Sequence, residues 1–169
     1  KMIKISVCDD DEGQLTFFKQ CFMEYNEKHK EKIEANFYQS VQSLLNEKKF
    51  SPDVYFLDIE LQDGNGLKLA GKIRTRNSKI PIVFITSHEE FMPEAFHVHA
   101  YQYLNEKKNA QAVENVLNQL ADYFSEQNQI FSFQTYGEMI SLDCRDIICF
   151  TSEKRKNIVI AENGEFEYY

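Results

Sequence analysis

Residues 53–67 read DVYFLDIELQDGNGL, and the fold turns on the first half of that stretch. Val54, Tyr55, Phe56 and Leu57 form an apolar run that ends abruptly in Asp58, with a Gly-Asn-Gly turn a few residues on. Burying an unpaired carboxylate costs several kcal/mol or drives it to the neutral form. Asp58 therefore belongs at the mouth of a buried strand, facing solvent or beside a cation. An apolar run without alternation is the mark of a strand covered on both faces, as in a parallel sheet.

The rest of the chain supplies such a sheet. Ile3 to Cys8 is a short apolar strand that runs into DDDE at residues 9–12. From Glu12 to about Lys30, Leu15, Phe18, Phe22 and Tyr25 fall on one helical face. A strand is expected over 34–38. Ser40 then caps a short helix carrying Val41, Leu44 and Leu45. Val54 to Asp58 is the third strand, and Gly66 to Arg76 a helix with Leu67, Ala70 and Ile73 inward. PIVFIT at 81–86 and YQYL at 101–104 are strands four and five. Ala110 to about Glu126 carries Val113, Val116, Leu117, Leu120 and Phe124 on one stripe. Alternating strands and helices predict an α/β fold, a doubly wound five-stranded parallel sheet with helices on both faces. Ligands of such sheets bind outside the carboxyl ends of the strands. Asp9 and Asp10, Asp58 and Thr86 are all expected at that edge.

Clustered carboxylates repel unless a cation sits among them. An oxygen-only donor set suits a hard ion such as Mg²⁺. A carboxylate beside Mg²⁺ stays ionised and can attack phosphorus to form an aspartyl phosphate, towards which Thr86 offers a hydroxyl. Alone, DDDE reads as a solvated turn capping the next helix. With Asp58 and Thr86 at neighbouring strand ends, the metal reading is the stronger one.

Composition narrows the remaining classes. The 169 residues suffice for one full domain and part of another. A hydrophobic share of 43% is that of a folded chain. No apolar run approaches the ~20 residues of a membrane span, and no signal segment opens the chain, so a cytoplasmic location without a membrane partner is expected. Cys8, Cys21, Cys144 and Cys149 form no CxxC pair and are expected as reduced, packed thiols rather than a zinc site. A net charge of −8 argues against non-specific coating of nucleic acid. His97 and His99 read as surface or packing residues.

Residues 2–122 resemble the receiver domain of a two-component response regulator. The resemblance lies in Asp9-Asp10, Asp58 within FLDIEL, Gly64 and Gly66, Pro81, Thr86 and the strand-five aromatic Tyr103. FLDI, FITSHEEFMPEAFHV and AYQYL are further similar to the LytR/AlgR subgroup. The resemblance implies a flavodoxin-like receiver. Asp58 would accept a phosphoryl group from a partner histidine kinase. Asp10 would bind Mg²⁺ directly and Asp9 largely through water, with the Glu60 backbone carbonyl completing the protein ligands. Thr86 and Tyr103 would form the switch, read out by a homodimer through the fourth helix and fifth strand. The family also carries a lysine after the aromatic. Here that position is Glu106, so Lys107 is expected to reach the phosphoryl group through a one-residue shift.

After residue 122 the pattern changes to short strands: IFSFQT, EMISLDC, DIICFTS and NIVIAENGEFEYY, the last a hairpin on Asn163-Gly164. Residues 123–169 resemble the first part of a LytTR DNA-binding domain, a second, incomplete β-rich domain expected to leave open edges. Lys154, Arg155, Lys156 and Asn157 match where that family contacts DNA. Residues 123–169 hold eight acids and four bases, so this part alone is expected to bind DNA poorly. The expected function is a phosphorylated transcription regulator, a phospho-accepting protein rather than an enzyme. The alternatives are a receiver-like interaction module that is never phosphorylated, and an aspartyl-phosphate phosphatase. The latter wants an acid two residues after the nucleophile as DxD, where this chain has Glu60.

Overall fold

The computed structural model describes all residues except 1, 87–88, 105–107, 128, 154–155 and 169, and only the backbone at 89, 127 and 145. It divides into two compact units, Lys1–Asn118 and Gln119–Tyr169.

The first unit starts with β1 (Met2–Cys8), α1 (Glu12–Lys28), β2 (Lys32–Tyr38), α2 (Val41–Asn46) and β3 (Val54–Asp58). A small hairpin, β4 (Glu60–Leu61) and β5 (Gly64–Asn65), then leads into α3 (Gly66–Arg76). The unit continues with β6 (Ile82–Ile85), α4 (Met92–His97) and β7 (Gln102–Leu104), and α5 (Ala110–Gln127) follows. The main sheet has five parallel strands in the order β2-β1-β3-β6-β7. The chain steps outward from β1 to β2 and then crosses to β3 on the other side. The switch point, where a crevice opens at the carboxyl ends, therefore lies between β1 and β3.

Pleating sorts β3 between two cores. Phe56 meets Phe18 and Phe22 of α1 edge-on, with ring centroids 5.8 Å away in both cases. Its neighbour Leu57 joins Leu44, Leu69, Ile73 and Ala95 in the opposite cluster. Covering both faces explains the unbroken apolar run. Arg74 binds the carbonyls of Ile80, Val98 and His99, which ties α3 to the segment between α4 and β7. His97 ends α4, and His99 follows at φ 52°.

The second unit contains β8 (Ile130–Thr135), β9 (Glu138–Asp143), β10 (Ile147–Glu153), β11 (Lys156–Ala161) and β12 (Gly164–Tyr168). Its sheets are β8-β9 and β10-β11-β12, around a small core of Phe133, Leu142, Val159 and Ala161. Two expectations fail here. Cys144 and Cys149 are exposed rather than core, because β10 is an edge strand covered on neither face beyond Ile147. The last hairpin turns on Glu162 and Asn163, with Gly164 already paired to Ala161. The turn with two positive φ angles is instead Tyr136-Gly137 (38° and 96°), between β8 and β9, the backbone that a type I′ turn requires.

Candidate functional site

The DDDE run divides its labour. Asp11 is the N-cap of α1, its Oδ1 accepting from the N–H groups of Gly13 (2.8 Å) and Gln14 (3.3 Å). Asp9 and Asp10 turn the other way. Together with Asp58 they present carboxylate oxygens that all lie within 4.8 Å of one another. Asp9 is fully buried, Asp58 is 2% exposed, and Asp10 is half-buried at the rim. The plain capping role and the expected cluster are both present, on different residues.

Backbone amides fix each carboxylate. Asp9 Oδ1 accepts from the Asp11 N–H at 2.9 Å, and Asp58 Oδ1 from the Ile59 N–H at 2.8 Å. Asp10 Oδ2 accepts from the Gln62 N–H at 3.0 Å, across the crevice. The concentrated negative charge is felt next door: the Cys8 thiol is pushed up to about 12, first by burial and then by Asp63, Asp9, Asp58 and Asp10. Cys8 is therefore an inert packing thiol. Three carboxylates at one mouth, two of them buried, form an all-oxygen donor set that fits a hard divalent cation such as Mg²⁺.

Thr86 follows β6 directly, 1% exposed, and its N–H donates to Leu104 O at 3.1 Å. Tyr103 is half-buried on β7, opposite Phe84 of β6, and packs against the cluster around Leu57. Phe96 on α4 is 81% exposed. Glu60, expected to contribute its carbonyl, lies on β4 two residues past Asp58. Glu106 and Lys107 lie outside the described residues. Lys108 is described: its Nζ reaches the first turn of α1, 3.7 Å from where a Cβ on Gly13 would stand.

The expected DNA-contact residues are only partly described, since Lys154 and Arg155 fall outside. Lys156 is exposed, but its Nζ is 2.8 Å from Glu167 Oε1. Glu167 also accepts from the Tyr136 hydroxyl, and the two bonds hold its carboxyl below the usual range, Lys156 contributing most. Asn157 pairs with Ser152 in the β10–β11 ladder.

Sequence reasoning overlooked the β4–β5 hairpin and Asp63 at its tip. Asp63 Oδ1 and Oδ2 accept from the N–H groups of Val41 (2.9 Å) and Gln42 (3.0 Å) at the start of α2. These donors, Gln42 first, hold the Asp63 carboxyl below its ordinary value of 3.8. A depressed folded-state value means a contribution to stability that is present above the ordinary value and lost as pH falls through the lowered one. Asp63→Asn is therefore expected to flatten the acid limb of the stability–pH curve below about pH 4. Equal acid limbs for the two proteins in urea melts across pH 2–6 would contradict this. The local signal was a bare Asp-Gly turn, and nothing in it reveals a partner 22 residues away.

Comparison with known proteins follows the same boundaries. Residues 5–118 match the response regulator receiver domain family. Among curated relatives, the sensory transduction protein LytR of Staphylococcus haemolyticus is 32% identical over 111 residues, which is 66% of this chain and 42% of that protein. An uncharacterised response regulatory protein of Yersinia pestis is 29% identical over 120 residues, 71% of this chain and 49% of its own length. The chain thus spans about half or less of these relatives. Among solved structures, the response regulatory domain of protein mrkE from Klebsiella pneumoniae aligns with a TM-score of 0.62 at 24% identity, covering 74% of this chain and all of that one. A CheY-like receiver domain from Methanospirillum hungatei gives 0.64 at 18%, covering 75% and 98%. These two likenesses concern the fold, which is that of the β2-β1-β3-β6-β7 sheet. With two thirds of its length matched by one family, the chain belongs to the response regulator receiver domain family.

Proposed function

We propose that this chain is the receiver and the start of the output region of a two-component response regulator. Asp58 is phosphorylated by a histidine kinase, and the signal controls transcription through a LytTR-type DNA-binding domain that begins within residues 123–169. The observation that carries the proposal is the convergence of Asp9, Asp10 and Asp58 at the sheet's switch point. Bound there by Asp10, Asp58 and the Glu60 carbonyl, with Asp9 acting through water, Mg²⁺ would offset the charge on the carboxylates and the phosphoryl oxygens.

The chain's own residues do the remaining work. The free Asp58 oxygen attacks phosphorus. The bond from phosphorus to the donor's imidazole nitrogen, or to the acyl oxygen of acetyl phosphate, breaks, and the leaving group keeps the electron pair. The Ile59 N–H, already on Asp58 Oδ1, keeps the carboxylate oriented. The Thr86 hydroxyl moves onto a phosphoryl oxygen, and Tyr103 fills the space it leaves. The exposed Phe96 supports a homodimer through α4 and β7 as the readout. Lys107 is assigned the ammonium contact. Lys154, Arg155, Lys156 and Asn157 are assigned to DNA, with Lys156 having to leave Glu167 to take part. The protein modifies itself once and turns over no substrate. Among the described residues, no helix is long and apolar enough to cross a membrane.

The test is intact mass after incubation with acetyl phosphate and Mg²⁺, with an EDTA control. One added phosphoryl group that requires Mg²⁺ is expected. An unmodified protein under both conditions would overturn the phosphorylation proposal and leave an interaction module.

A further inference from the structure

The β4–β5 hairpin carries the Gln62 N–H that holds Asp10, yet it has only two residue pairs of its own, Glu60 with Asn65 and Leu61 with Gly64. A two-stranded hairpin is at best marginal in water, so its position must be set from outside. Leu61 is buried in the core beside Leu57 and anchors the base. The tip is held by Asp63, which takes two N–H groups of the first turn of α2, and by Gly64, where a Cβ would stand 3.0 Å from Val41 Cγ2. Ser40 Oγ takes a third, the Ser43 N–H.

We propose that Asp63 is a positioning residue of the carboxylate site: by fastening the hairpin tip to α2, it keeps the adjacent Gln62 N–H on Asp10 and so sets Asp10 for a divalent cation. The proposal rests on the reading of this cluster as a cation site. Asp63 and Gln62 are consecutive, so fixing one carboxylate against α2 leaves the Gln62 amide little freedom. Without Asp63, the tip is held only by the Val41–Gly64 contact, and Asp10 loses its only printed orienting bond. Groups that orient a metal ligand from behind are typically worth ~10–100-fold in affinity. Asp63 sits at the outer end of such a relay, so the lower figure applies. Because coupling is reciprocal, a cation on Asp10 also steadies the start of α2.

The test uses the full chain and Mn²⁺ alone, titrated by water-proton relaxation, with thermal melts on the same samples. Asp63→Ala is expected to weaken Mn²⁺ about tenfold. Asp63→Asn keeps one acceptor oxygen and should fall between Asp63→Ala and the wild type. Ser40→Ala removes the other side-chain cap of the same helix. It is expected to lower the melting temperature while leaving Mn²⁺ affinity unchanged. Mg²⁺ should also slow amide exchange over residues 40–44 in the wild type and not in Asp63→Ala. Equal Mn²⁺ affinity in wild type and Asp63→Ala overturns the positioning role and leaves the site intact. Equal loss in Ser40→Ala and Asp63→Ala also overturns it, since the effect would then be general loosening of α2. No Mn²⁺ binding by the wild type removes the site itself, and the positioning role with it.

Discussion

Asp58→Ala is expected to take up no phosphoryl group from acetyl phosphate and Mg²⁺ under conditions that modify the wild type to completion. No neighbour can substitute. Asp9 is fully buried with Oδ1 on the Asp11 N–H, and Asp10 has Oδ2 on the Gln62 N–H. The same substitution should raise thermal stability in EDTA. Two unit charges about 4 Å apart repel by on the order of 4 kcal/mol at an effective dielectric of 20, and removing Asp58 removes its repulsion with both Asp9 and Asp10. Against this stands the Ile59 N–H left without Asp58 Oδ1, worth about 1–3 kcal/mol. The repulsion is the larger quantity, so a higher melting temperature without metal is the expected sign. Added Mg²⁺ should then stabilise the wild type and leave Asp58→Ala nearly unmoved. A phosphorylated Asp58→Ala protein would place the acceptor elsewhere. A melting temperature below wild type in EDTA would mean the cluster is not repulsive.

That trade between site and stability is also why so much of the site can be read in the sequence. A carboxylate closing an apolar run, as Asp58 does, has no stabilising explanation and points to chemistry. Asp9 and Asp10 stand out in the same way at the end of β1. The neighbouring Asp11 is the limit of that logic: it has the same chemistry and a structural job, which only its position just before α1 reveals. Relations between distant segments are not written locally. The bond from Gln62 to Asp10 spans 52 residues, and Asp63 to Val41 spans 22. Each depends on how β3 and α2 are placed by the sheet. In the second unit, alternation misled for another reason. It marks a core only where a second layer covers one face, and β10 has no such cover at Cys149. The Asn-Gly pair likewise signalled the hairpin but not its register, because pairing of Ala161 with Gly164 takes Gly164 into the strand.

The tightest point behind the site gives the largest effect on the fold. Gly66 is the first residue of α3, and its N–H donates to Ile59 O at 2.9 Å. A Cβ there would stand 2.0 Å from the Asp58 carbonyl oxygen, 2.9 Å from the Asp58 carbonyl carbon and 3.0 Å from Ile59 Cα. All three atoms are backbone, so no rotamer change can make room; either α3 or the end of β3 must move. Gly66→Ala is expected to cost about 3 kcal/mol or more, a drop of roughly 10 °C in the melting temperature of the first unit. Because the displaced atoms belong to Asp58 itself, Mn²⁺ affinity should fall along with stability. Gly71, in the middle of the same helix, is the control, since a Cβ there would meet nothing within 4 Å. Gly71→Ala should gain roughly 0.5–1 kcal/mol from helix propensity alone and leave the metal titration unchanged. Matching melts for the two alanine proteins would show that α3 can slide freely against the end of β3. The strand end bearing Asp58 would then owe its position to the β1 and β6 ladders rather than to the helix behind it.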